Sequence, residues 1–472
     1  MFVCTLSVIL LLNGIVSDQP IADKSGSLGT RPGLAAVVEA EEEVYRFEPA
    51  HNGAGPMWCS GSTCLVRIGQ DVFATGLETL ADAKPLNNCR WLLFKRGEEG
   101  WELQQTDPKD RTREPCPLAC FYGGPLYLSA NPTLVEDRDV PAGPAEPRIL
   151  RFDPAAPKKP FEILLPQWEG SPPFTEHSYR SFAADGLNRE FIILQNIGYT
   201  HAEWAFMDRH GNWSAHGKLR WPWGAEYPQP RTIRLCYPTV ALKDRAFYFC
   251  GVSDIEEPYP EWRDYKRQLT GRDWDYDFRR LFFTWSPDLT RREFAPWMEV
   301  ANRDKTCGWI KPADLWVGAD GTVHLLWMER AIDERLRPKF FPEANQSHAL
   351  NYAQVRDGAV RLRCALLEAI EGTSRGIPGA GRFHVMPDGR LFVLCYVSGK
   401  DLEGKSISEN RLLELDSNGG VISITRLPFK RPFYAFFTAT PRAGCPPSEI
   451  IDLLGQQVGS PFVISYARIR IR

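Results

Sequence analysis

Two histidines and two tyrosines stand in pairs of equal spacing: His177 with Tyr179, and Tyr199 with His201. A separation of two puts both members of a pair on one face of a β-strand. Histidine and tyrosine are suited to moving protons, and Arg180, beside the first pair, to neutralising a carboxylate. This set fits elimination on a uronate. A cation holds the carboxylate, a base removes the C5 proton, and an acid protonates the leaving oxygen. His177, Tyr179, Tyr199 and His201 are therefore the candidate catalytic residues. Arg180, Asn196, Glu203, Arg234, Tyr237, Trp309, Lys311, Asp314, Glu329 and Arg330 are the candidate substrate contacts. The partner they imply is an oligo- or polysaccharide, acidic in character.

Other chemistries are open to the same chain. A glycoside hydrolase needs two carboxylic acids about 5–9 Å apart; Glu78, Glu176, Glu203, Asp254, Asp314 and Glu329 are candidates. A non-catalytic glycan binder needs aromatic faces, which Trp58, Trp204 and Trp309 offer. Each residue also has a plainer use. Buried His and Tyr satisfy hydrogen bonds, acids pair with arginines, and Trp fills cores. No catalytic cofactor or metal is expected. Asp273-Trp-Asp-Tyr-Asp277 offers oxygens to a structural calcium, with Arg272, Arg279 and Arg280 as competing partners. There is no CxxC pair for zinc and no phosphate-binding glycine loop.

Positioning such residues requires a repeated frame, and the chain carries one. Six times a turn precedes a short apolar run, as in Gly69-Gln-Asp-Val-Phe-Ala, Lys243-Asp-Arg-Ala-Phe-Tyr-Phe and Pro387-Asp-Gly-Arg-Leu-Phe-Val-Leu. A strand-like run precedes each turn, making a hairpin. A second hairpin follows, starting at runs such as Arg90-Trp-Leu-Leu-Phe and Arg280-Leu-Phe-Phe-Thr-Trp. Four strands per unit, at roughly 50–75-residue spacing, predict propeller blades. The tail supplies three more strands, around Tyr434, Glu449 and Phe462, and Val44-Tyr-Arg-Phe can add the fourth. The expectation is an all-β, seven-bladed propeller with four antiparallel strands per blade; six blades is the alternative. Its ligand face gathers the loops leading into each innermost strand and those joining second to third strands.

Composition agrees with short strands. The 472 residues include 15 Trp, 15 Tyr, 26 Phe, 38 Gly and 38 Pro, which favours strands and turns over helices. A net charge of −3 predicts no general attraction to nucleic acid. Residues 1–17 read as a signal peptide, 18–40 as a flexible segment and 41–472 as one propeller domain. A secreted or periplasmic protein with no membrane span is expected. Of the 12 cysteines, Cys236 and Cys250 are the best disulfide candidates, since they flank the Lys243-Asp244 turn.

The turns between third and fourth strands resemble those of BNR, or Asp-box, proteins of the sialidase-like propeller superfamily. Thr284-Trp-Ser-Pro-Asp-Leu-Thr carries the likeness, with weaker copies at Tyr352–Gly358 and Trp204–Trp213. Ser286 and Asp288 keep the first two positions, while Thr290 replaces the glycine. The resemblance implies the fold. Among proteins of this architecture are sialidases, uronate lyases and several glycosidases. The sialidase Phe/Tyr-Arg-Ile-Pro context has no counterpart here, so a sialic acid substrate is not implied.

Overall fold

The structure, a computed structural model, describes residues 34–58, 61–272, 275–373, 376–401 and 403–472. The expected signal peptide lies outside these residues. The described chain folds as seven four-stranded antiparallel sheets arranged as blades. Blades one to six run in chain order from inner to outer strand, starting at Leu65, Leu118, Ser181, Leu235, Trp309 and Ile377. In blade seven the strands Phe433–Thr438, Ile450–Gln457 and Ser460–Ile471 are joined by Ala36–Arg46 as the outermost strand. That strand begins at Ala36, ahead of the expected boundary at 41, because Ala36 already pairs with Ile471. The shared blade leaves no free inner edge between the two ends of the ring.

The core is a ring as well. There are seven clusters of buried apolar residues, one in each cleft between neighbouring blades. In the cleft between blades two and three, Phe121 and Tyr127 pack on Phe191, while Phe182 meets the same ring edge-on. A strand buried on both faces needs apolar residues at consecutive positions. Hence Ala246–Ser253, the second strand of blade four, reads AFYFCGVS.

Two departures from the sequence reading matter. The loop between the second and third strands of blade four contains a helix, Pro260–Thr270. Proline begins it, and Gly271, at φ 65°, ends it in a left-handed cap whose N–H donates to the Arg267 carbonyl. Trp262 packs on Phe341 and Tyr265 on Phe340 in the corresponding loop of blade five, so the two longest loops brace each other. Cys236 and Cys250 are buried free thiols. A register shift after Cys236 sets it opposite Val252 and puts Cys250 opposite Thr239, which separates the expected pair.

The axis of the ring is filled. Residues 440–448 of blade seven turn inward and contact most of the other blades. The Arg442 carbonyl accepts from Ala184 N–H in blade three, Ala443 carbonyl from Cys120 N–H in blade two, and Ser448 N–H donates to Val385 in blade six. Arg442 itself bonds the Gly61 carbonyl and pairs with Asp314 of blade five at 2.8 Å. A Cβ on Gly444 would lie 1.8 Å from the Cys120 carbonyl oxygen, and its φ is 87°. Only glycine fits there. Among the described residues no helix is long and apolar enough to cross a membrane.

Candidate functional site

The loops leading into the inner strands of blades one, three, four and five meet over this filled axis. Trp58 is the centre of the group. It stacks on Tyr179 at 4.9 Å and lies 5.8 Å from His177 and 5.9 Å from Tyr237, ring centre to ring centre. His177 and Tyr179 are themselves 4.6 Å apart. Tyr237 also meets Tyr179 at 5.6 Å and Phe278 at 5.8 Å. The result is a basin walled by aromatic rings, with its histidine and one tyrosine partly open to solvent.

Cations surround this aromatic wall. The Arg113 guanidinium lies 5.7 Å from Trp58. Arg234 lies 3.9 Å from Tyr199, 5.4 Å from Tyr276 and 5.6 Å from Tyr179. Lys311 sits 6.0 Å from Tyr237 and has no acidic partner among the described residues. Burial and the neighbouring Arg382 charge hold its pKa below the usual lysine value. His177 responds to the same field. Burial first, then Arg113 and Arg234, push its pKa down to about 3, so its imidazole is neutral at ordinary pH. Burial raises the Tyr179 phenol, which stays protonated.

Two buried carboxylates support the basin from below. Asp254 pairs with Arg234 at 2.7 Å and hydrogen-bonds Tyr179; burial raises its pKa. Glu114 accepts the backbone N–H of Ser178 at 2.9 Å, and the Ser178 hydroxyl as well. Ser178 lies between His177 and Tyr179, so Glu114 fixes the segment that carries both. The segment is strained: Tyr179 has φ 39°, and Tyr237, at the same place in blade four, has φ 48°. Bulky side chains rarely adopt this conformation, and where it persists it tends to mark a site.

The structure thus brings together His177, Tyr179, Tyr199, Arg234, Tyr237 and Lys311 from the expected set. His201 is elsewhere. It accompanies Glu203 and Ala205 on the blade-two side of its strand, whereas Tyr199 turns toward blade four. Both His201 ring nitrogens are engaged, by Thr200 at 2.7 Å and Glu203 at 3.0 Å. Arg180 is 1% exposed and bonds the Pro115 carbonyl in the filled axis, so a ligand at the rim does not reach it. Asn196 is buried and donates to the Gly198 carbonyl. Asp314 belongs to the Arg442 pair, and Glu329 accepts from Trp327 and Arg303. Trp309 and Arg330 face each other in register across blade five, partly exposed.

The carboxylates weighed for hydrolysis are all engaged. Glu78 pairs with Arg90, Glu176 accepts Gly143 N–H, and Glu203, Asp254, Asp314 and Glu329 have the partners just given. Asp275 and Asp277 of the expected calcium segment face Lys266, Arg335 and Arg279, whose charges oppose a cation. Asp273 lies outside the described residues. The nearby trio Glu257, Asp277 and Cys307 is occupied in the same way: Glu257 takes a two-pronged bond from Arg279 at 2.9 and 3.0 Å and one from Lys266 at 2.7 Å.

Sequence reasoning did not assign Arg113, Glu114, Tyr276 or Phe278 to the site. A signal for Glu114 existed in its place before an inner strand, but nothing in the spacing shows that it meets Ser178.

No protein-family profile matches the chain, and no curated protein is detectably similar to it. Solved structures are similar in fold. An ulvan lyase of the polysaccharide lyase family PL25, bound to -[GlcA(1-4)Rha3S]-, has a TM-score of 0.50 and 9% identity over 92% of this chain and 95% of its own. A protein of unknown function from Dyadobacter fermentans has a TM-score of 0.44 and 12% identity, over 93% and 99% of the two chains. An α-L-arabinanase from Penicillium chrysogenum has a TM-score of 0.38 and 9% identity, over 92% and 98%. The protein is a seven-bladed β-propeller with a basic, aromatic basin at the mouth of a filled axis.

Proposed function

We propose that the protein is an exported polysaccharide lyase that cleaves a uronate-containing glycan in this basin. One observation carries the reading. A neutral histidine stands beside tyrosines and cations, while the carboxylates that touch the basin, Glu114 and Asp254, are buried and paired. That inventory suits elimination better than hydrolysis, which needs two working acids. The ulvan lyase of the same fold, bound to a GlcA-containing saccharide, supports the substrate class.

Lys311 and Arg113 receive the uronate carboxylate, and Trp58 stacks on a sugar ring. The bound anion offsets the cations that depress His177 and so raises its basicity. His177 then takes the C5 proton. The electrons form the C4–C5 double bond as the C4–O bond breaks. The Tyr237 hydroxyl, at the half-open rim beside Lys311, gives its proton to the leaving oxygen. Solvent afterwards restores both groups.

The test is digestion of a panel of polyuronates, reading unsaturated-uronate absorbance and reducing ends together. Both signals should rise in step. His177→Ala should lower turnover by roughly 10²–10⁴-fold without loss of fold. Reducing ends without absorbance would overturn elimination in favour of hydrolysis.

A further inference from the structure

A second aromatic and basic surface lies away from the basin, on the outer rim between blades three and four. It is a groove of about 910 Å³. Trp221, Trp297 and Phe294 line its floor, and these rings are fixed. Trp297 donates to the Arg220 carbonyl at 2.9 Å and meets Phe249 edge-on, while Phe294 packs on Trp204 and Phe247. Trp223 stands at its rim, 62% exposed, on a short added hairpin where it pairs in register with Thr232.

Its charges are one-sided. Arg220 and Arg292 are exposed and have no acidic partner among the described residues, and Arg291 lies 4.0 Å from its nearest acid, Asp288. Against these the groove wall carries one acid, Glu293. The chain as a whole is slightly acidic, at −3, so this patch is local and not part of a basic surface. An open indole is not stabilised by burial here, and cations without partners repel each other. An anionic polymer with ring faces relieves both. Pyranose rings stack on indole, and uronate carboxylates take two-pronged bonds from arginine.

We infer that this groove is a non-catalytic binding site for an anionic polysaccharide, which holds the polymer on the outside of the ring while its cleavable part reaches the basin. The choice of a polysaccharide rests on the lyase reading; the anionic, ring-stacking chemistry rests on the groove alone.

Affinity electrophoresis of the His177→Ala protein in gels cast with polygalacturonate tests it, with hydroxyethylcellulose as the neutral control. Trp223→Ala with Arg292→Ala should cut retardation several-fold in polygalacturonate and leave mobility unchanged in plain gel. Arg220→Gln with Arg292→Gln, which keeps the aromatic platform, should lose most of the salt-sensitive part. Retardation equal to that of the parent, or absent from both, would overturn the site. Equal losses in the neutral gel would overturn its anionic character. With His177 intact, turnover of a short oligouronate should be unaffected by either double variant. Absence of any turnover in that assay would count against the lyase reading and leave the gel result standing.

Discussion

His177 is the residue whose chemistry depends most on its surroundings. A free imidazole titrates near neutrality, but here burial, Arg113 and Arg234 bring the pKa down to about 3. Elimination needs the neutral ring, so the protonated form is inactive. In the free protein protonation sets in only near pH 3, and kcat/KM should show no loss from this group down to about pH 4. In the complex the uronate charge offsets the arginines and raises the pKa, so the acid limb of kcat should lie at higher pH than that of kcat/KM. Superimposable acid limbs would show that bound substrate does not change the basicity of His177. The pairing of His177 with Tyr179 was legible, because alternation along a strand is a local rule. The misplacement of His201 comes from the same rule applied one residue too far. Tyr199 lies in the turn and His201 begins the strand, so equal spacing no longer means a shared face.

At the scale of the element, the working parts are the short lead-ins to the inner strands. Their strained tyrosines must be held by something stronger than strand pairing, and Glu114 holds one of them through Ser178. Glu114 is a positioning residue. Glu114→Ala leaves the buried Ser178 donors without their acceptor and should cost about 1–3 kcal/mol in denaturant unfolding. It should lower kcat while changing KM little, because the aromatic wall and Lys311 remain. Glu114→Gln keeps an acceptor oxygen and should recover most of both. Equal loss of kcat in the glutamine variant, with stability restored, would show that the negative charge itself is needed. Hairpins were readable from apolar runs and turn residues. Positive backbone angles at Tyr179 and Tyr237 were not, since no turn residue marks them and tertiary contacts impose them.

At the scale of the molecule, blade count was readable because the tail repeats the apolar runs of the earlier blades. Ring closure through Ala36–Arg46 followed from the same pattern. The filled axis was not readable. Residues 440–448 have no hydrophobic period, and their partners are scattered from Gly61 to Val385. Arg442 is the centre of that packing. Arg442→Ala removes the partner of Asp314, which is 2% exposed, and should destabilise the protein by about 3–5 kcal/mol. Adding Asp314→Asn should recover part of the loss, because the stranded charge is gone. Chemical denaturation of the two variants beside the parent measures this; a double variant no more stable than Arg442→Ala would place the cost in lost packing instead.

The inward turn of blade seven also decides how a long glycan can travel. With Arg442 and its neighbours across the axis, the ring is a blind well and not a sleeve. A polymer cannot be threaded through it end first and drawn along. It must settle sideways over the mouth, be cut somewhere along its length, and float off in two pieces, so that each cut begins from a fresh landing.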